Sequence, residues 1–171
     1  MKLGLAIGRC AAALVLASVA GVAAVAEAPA KLPAEVNARI AEFDKECKAN
    51  RRGSVEVFGD HILSGDFNAD GKTDYVLFAG RMGCTQWNAV FGEADGSAIE
   101  GFVSQPDGKY AHDVLVLAQN LRVNASKTPA VIEVAKMNRD RWAYDTLTFA
   151  YQGGKWVRTL SRPGLPDEWP S

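Results

Sequence analysis

From Gly65 to Asp74 the chain reads Gly-Asp-Phe-Asn-Ala-Asp-Gly-Lys-Thr-Asp, with oxygen-bearing side chains at Asp66, Asn68, Asp70 and Asp74. Counted from Asp66, these are loop positions 1, 3, 5 and 9; Lys72, at position 7, offers its carbonyl oxygen. Carboxylates, an amide and a carbonyl are the donors that a hard cation such as Ca²⁺ takes, six to eight oxygens in all. Gly71 accepts the left-handed backbone that the sharp turn after Asp70 calls for. The spacing therefore predicts a Ca²⁺ loop with donors Asp66, Asn68, Asp70, Lys72 and Asp74. Without a cation the stretch is also a good turn, because Asp and Asn bond their own backbone. No bidentate Glu closes the local loop, so the expected affinity is weak, on the order of 10⁻⁴ to 10⁻³ M.

Other chemistry is thinner. His61 and His112 are the two histidines, each beside an aspartate, Asp60 and Asp113. Neighbours on a strand point to opposite faces, so neither aspartate orients its histidine without a bulge. Cys84 with a histidine base, or a pair of carboxylates, would make a small hydrolase. Cys47 and Cys84 are more simply read as a disulfide, which over a 37-residue separation would contribute about 4 kcal/mol on the chain-entropy model. Among the aromatic residues Trp87 and Trp156 sit in apolar faces, whereas Trp142, flanked by Arg139, Asp140 and Arg141, is the better surface candidate. Trp142 and Tyr144 are the expected partner surface.

These groups need elements to hold them. Val36, Ile40, Phe43 and Cys47 recur at helical spacing, predicting a helix that opens near Pro33 and stops by Gly53. β-type runs follow at Ser54–Phe58, Ile62–Gly65, Tyr75–Ala79, Thr85–Phe91, Ala98–Val103, Val114–Ala118 and Ala130–Ala135. The unbroken runs Tyr75–Ala79 and Val114–Ala118 read as strands covered on both faces. Gly80-Arg81-Met82-Gly83 reads as a turn. Gly153-Gly154 joins Thr146–Gln152 to Lys155–Leu160 as a two-residue hairpin, in a register that sets Tyr151 against Trp156 and Leu147 against Leu160. Links this short make the strands mostly antiparallel. The expected fold is α+β: one helix packed on an antiparallel, meander-like sheet of about seven or eight strands.

Phe58-Gly59, followed by the 65–74 loop and the apolar run Tyr75-Val76-Leu77, resembles one FG-GAP/VCBS-type repeat, over residues 58–79. The resemblance implies a Ca²⁺ loop between two strands, with the same five donors. Ala69 stands where that family commonly has glycine, but every ligand position is filled. An EF-hand fits less well, because position 12 is Leu77 rather than Glu. A second copy is only partial: Pro106-Asp107-Gly108-Lys109 and Asp113–Ala118 echo the pattern without its first three donors. One blade of a propeller cannot bury itself, so an isolated loop within a small sheet is expected.

The first 26 residues read as a signal peptide. Lys2 and Arg9 precede the apolar run Ala11–Ala24, and Ala24-Val25-Ala26 suits cleavage. Residues 27–32 then form a flexible leader, 33–161 a single domain, and 162–171 a Pro-rich tail. The chain has 19 Lys and Arg against 20 Asp and Glu, and losing Lys2 and Arg9 leaves the remainder formally at −3. That mild acidity, with no basic cluster beyond Arg51-Arg52, argues against a nucleic-acid binder. No second apolar stretch suits a membrane span, and a monomer is expected. The function expected is a periplasmic or secreted Ca²⁺-binding interaction module of the cell envelope. Its partner would be an envelope protein or a glycan; the alternative is the small hydrolase.

Overall fold

The computed structural model describes residues 31–164, apart from Gly59, Glu93 and the side chain of Asn88. The expected signal peptide, most of the expected leader and the expected tail beyond Gly164 lie outside the described residues. Among the described residues one α-helix, α1 (Ala34–Ala49), precedes eleven strands. In order these are β1 (Val55–Val57), β2 (Ile62–Gly65), β3 (Asp74–Phe78), β4 (Met82–Cys84), β5 (Trp87–Val90) and β6 (Ser97–Ser104). Then come β7 (Tyr110–Ala118), β8 (Asn120–Asn124), β9 (Val131–Asn138), β10 (Ala143–Gln152) and β11 (Lys155–Pro163). The α+β class with a helix on antiparallel sheet holds. In place of one meander, three antiparallel sheets form: β1-β4-β5, β2-β3-β6-β7 and β11-β10-β9-β8.

The sheet β2-β3-β6-β7 is the middle layer. Its two faces feed two cores because side chains alternate along a strand. On β3, Val76 and Phe78 join Phe67, Ile99, Ile132, Val134, Leu147 and Phe149 against the β8–β11 sheet. Tyr75 and Leu77 turn the other way, to Val36, Phe43, Cys47, Met82, Cys84, Phe91 and Phe102 from α1, the small sheet and β6. All five residues of β3 are buried, as its unbroken apolar run implied. The helical stripe behaves as its spacing predicts: Val36, Phe43 and Cys47 are buried, and Ile40 packs beside them. The Cys47–Cys84 disulfide ties the end of that stripe to β4.

Several expectations are corrected. Met82–Cys84 is a strand rather than part of a turn, pairing with β1 on one side and β5 on the other. Gly83 serves close packing there, since an added Cβ would lie 2.6 Å from the Ala89 carbonyl oxygen. β8 carries no clear strand signal in the sequence. On β7, Val114 is 60 % exposed, so that run is not covered on both faces. The terminal hairpin keeps Tyr151 opposite Trp156, but a bulge between Thr148 and Phe149 sets Leu160 against Thr148 and Ser161 against Leu147. β11 also continues to Pro163, into the stretch expected to be tail. The helix ends at Ala49, and Arg51 at φ 55° is the first left-handed residue after it, ahead of Gly53.

Candidate metal loop and neighbouring sites

The 66–74 loop connects β2 to β3, with Gly65 paired to Asp74 at its base. Phe67 is fully buried in the core between the two larger sheets, its ring 5.2 Å from that of Trp156. The Asp66 carbonyl accepts the Ala130 amide at 2.8 Å, which fastens the loop to the start of β9. Tyr110 closes the other side, donating its hydroxyl to the Thr73 carbonyl at 3.0 Å.

Within the loop, backbone amides turn towards the acidic side chains. The Asp70 amide donates to Asp66 at 3.2 Å and to the Asn68 side-chain oxygen at 3.0 Å. The Gly71 amide reaches the second Asp66 oxygen at 3.0 Å, and the Lys72 amide reaches Asp70 at 2.8 Å. Ala69, at φ 60°, and Gly71, at φ 79°, supply the left-handed bends. Ala69 thus holds a conformation that suits glycine better, at a cost of about 1–2 kcal/mol.

Asp74 differs from the rest of the set. Its carboxylate has no exposed surface, and its oxygens accept the Phe67 and Ser104 amides, each at 2.8 Å. Burial holds its pKa above the ordinary value, while those two amides pull the other way. Asp70 is exposed, and the Ser104 hydroxyl, donating at 2.8 Å, lowers its pKa, with the Lys72 amide adding to the effect. Asn68 donates to the Ser104 carbonyl at 3.0 Å. Ser104, at the end of β6, therefore knits Asn68, Asp70 and Asp74 together, and nothing in the local sequence of the loop points to it.

The donors suit a hard cation in kind. A carboxylate oxygen that accepts one amide keeps a second lone-pair direction, so Asp66, Asn68, Asp70 and the Lys72 carbonyl retain acceptor capacity. Among the described residues, however, no three His, Cys, Asp or Glu side chains gather as a group able to hold a metal ion. Asp74 is committed to the protein, its two oxygens each accepting a backbone amide.

A second charged cluster lies under α1. Glu100 on β6 is fully buried and receives Arg39 through Nε and Nη2, at 2.8–3.1 Å. His112 Nε2 lies 2.7 Å from the same carboxylate, and its imidazole stacks on Phe102 with 4.5 Å between ring centroids. Glu100 in turn raises the Arg39 pKa. The cluster fixes the helix to the sheet. A charge within Ala98–Val103 was its only sequence signal; the partner lies 61 residues away. Cys84 has no thiol to offer, since the disulfide takes it, and the Cys–His version of the hydrolase falls.

Trp142 stands on the 139–142 tip between β9 and β10, 83 % exposed and at φ 51°. Tyr144 is half-buried, and its carbonyl accepts the Gly164 amide at 2.9 Å. Arg139 pairs with Asp95 at 2.5 Å, and Arg141 pairs with Asp145. Beside the tip a cleft of about 620 Å³ opens between β7 and the β9–β11 strands, lined in part by Asn138, Asp140 and Asp145. His112 and Glu100 are not among its lining residues.

No described helix is long and apolar enough to cross a membrane. Comparison of the chain with family models, with curated proteins and with solved structures returns no match.

Proposed function

We propose that this chain is an exported Ca²⁺-binding interaction module of the cell envelope, with the Trp142 tip as its partner surface. The observation that carries the reading is the wrapping of the Asp70, Gly71 and Lys72 amides around Asp66, Asn68 and Asp70. That wrapping fixes the oxygens before any cation arrives, which lowers the ordering cost of binding. The left-handed Ala69, where the FG-GAP/VCBS-type pattern commonly has glycine, adds support. The cation would be held by Asp66, Asn68, Asp70 and the Lys72 carbonyl, with Asp74 behind them, and would neutralise their mutual repulsion. The disulfide favours an oxidising compartment, hence export.

A solvated tryptophan on a tip, in a backbone conformation costly for its type, is a residue kept for contact rather than for stability. Its neighbours Arg139 and Arg141 are turned aside into ion pairs. Capture from envelope extract tests the proposal. The chain from residue 27 should retain an envelope protein or glycan in Ca²⁺ and release it in chelator, and Trp142→Ala should retain nothing. Equal capture by the wild type and Trp142→Ala would remove the partner surface.

A further inference from the structure

The cleft beside the Trp142 tip sets four charged side chains around an apolar floor. Leu147 and Phe149 of β10, which also belong to the core between the two larger sheets, form the floor. Lys136 on β9 and Arg158 on β11 flank it, and Asp140 and Asp145 stand at the tip end. Two cations and two carboxylates leave this lining formally neutral. The signs are interleaved, since Lys136 is the cross-strand neighbour of Asp145, while Arg158 lies opposite Phe149. Asp145 is already engaged, accepting the Asn138 side-chain amide at 2.9 Å and pairing with Arg141. Among the described residues Lys136, Arg158 and Asp140 have no ion-pair partner. Asp140 is nevertheless held in place, because its own amide donates to the Asn138 side-chain oxygen at 3.1 Å.

This pattern of charge narrows the ligand. An anion meets Asp140 and Asp145, a cation meets Lys136 and Arg158, and a zwitterion needs its poles apart where the lining mixes them. A wholly apolar ligand would bury charged groups without partners, which is costly. A hydroxyl group both donates and accepts, so a neutral polyol answers the carboxylates with its protons and the cations with its lone pairs. A sugar ring adds a face of C–H groups to set on Leu147 and Phe149. The volume of about 620 Å³ lies within the range of ligand pockets, roughly 300–1,000 Å³. Trp142 extends the site. It follows Asp140 by two residues on the same tip, so their Cα atoms are within about 7.6 Å, and it is 83 % exposed. A flat, solvated indole accepts the C–H face of a second ring.

We infer that the cleft and the Trp142 tip together form a binding site for a neutral oligosaccharide. One ring lies on Leu147 and Phe149 with its hydroxyls on Asp140, Lys136 and Arg158, and the next ring stacks on Trp142. The inference rests on the tip being a partner surface, names a glycan as that partner, and is independent of Ca²⁺.

Titration calorimetry of the purified chain in chelator tests it, with maltohexaose, cellohexaose, xylohexaose and N-acetylated chitohexaose as neutral probes. At least one should bind saturably at millimolar concentration. Hexagalacturonate and deacetylated chitohexaose, which carry a charge on every ring, should bind more weakly than that neutral probe. Asp140→Ala and Arg158→Ala each remove an exposed side chain, so the fold should stand. Each should weaken binding about tenfold, as the loss of one hydrogen bond to a charged group does. Trp142→Ala should weaken it as well. Absence of saturable binding by every neutral probe overturns the inference, as does tighter binding of a charged one or unchanged affinity in both cleft variants. A chain that captures an envelope protein through Trp142 but binds none of the sugars keeps its partner surface and loses the glycan.

Discussion

Replacing Asp74 with alanine should be among the most damaging single changes in the 66–74 loop, whether or not a cation is present. The carboxylate is wholly buried and is the acceptor for two amides, those of Phe67 and Ser104. Without it, two interior N–H groups lose their acceptor, at about 1–3 kcal/mol each. Part of that loss is returned, because a buried carboxylate whose pKa is raised by desolvation is itself costly to keep ionised. The net expectation is a loss of about 2–4 kcal/mol. With a urea slope near 2 kcal/mol/M, the midpoint falls by about 1–2 M. The assay is equilibrium unfolding by urea in chelator, followed by tryptophan fluorescence, so that no cation contributes. Asp70→Ala is the control: its side chain is exposed, and the Ser104 hydroxyl and Lys72 amide it accepts sit at the rim of the loop, so its midpoint should fall by clearly less than that of Asp74→Ala. A midpoint for Asp74→Ala within experimental error of the wild type would refute the reasoning.

Three further outcomes follow from particular contacts. Arg39→Ala strips the fully buried Glu100 of its bidentate partner, leaving only His112, and should cost about 3 kcal/mol in the same urea assay; a loss below 1 kcal/mol contradicts the cluster's role. Trp142→Gly relieves a left-handed non-glycine residue with little packing to lose, so it should raise stability by about 1 kcal/mol while ending partner capture, and a lower melting point would count against this. Asp145 is held below its usual pKa of 3.8 by the Asn138 amide and then by Arg141. A lowered carboxylate stabilises above its unfolded pKa and loses that contribution as pH falls through the folded one. The stability advantage of the wild type over Asp145→Asn should therefore be full at pH 6 and fade below 3.8; an advantage that grew with acid would reverse the sign.

Local pattern made much of this fold legible. The four-residue stripe of α1, the doubly covered β3 and the Gly153-Gly154 hairpin each declare themselves through periodicity or turn chemistry, and the pair Cys47 and Cys84, left once the expected signal peptide is set aside, declares the disulfide. What stayed hidden is non-local. The three residues of β4 sit between glycines that look like punctuation, and only the approach of Ala89 explains why Gly83 lacks a side chain. The bulge at Thr148 shifts the hairpin register beyond what its turn specifies. The single meander gave way to three sheets because apolar runs do not say which neighbour covers them. At the 66–74 loop the spacing of oxygen-bearing side chains is visible in the chain, but the bridging Ser104 and the inward commitment of Asp74 depend on where β6 ends. Glu100 shows how such a residue can be noticed: a lone charge in an apolar strand must find a partner, though the sequence does not name it.

The most direct measurement is the thermal unfolding of the chain from residue 27, with 5 mM Ca²⁺ and with chelator, for the wild type and Asp70→Ala. A dissociation constant of about 10⁻⁴ to 10⁻³ M predicts stabilisation by about 1–2 kcal/mol at that concentration. For a domain of this size the midpoint should rise by roughly 3–8 °C in the wild type, with no change in Asp70→Ala. Superimposable wild-type curves with and without Ca²⁺ would contradict the account and leave the 66–74 loop a turn held by its own amides.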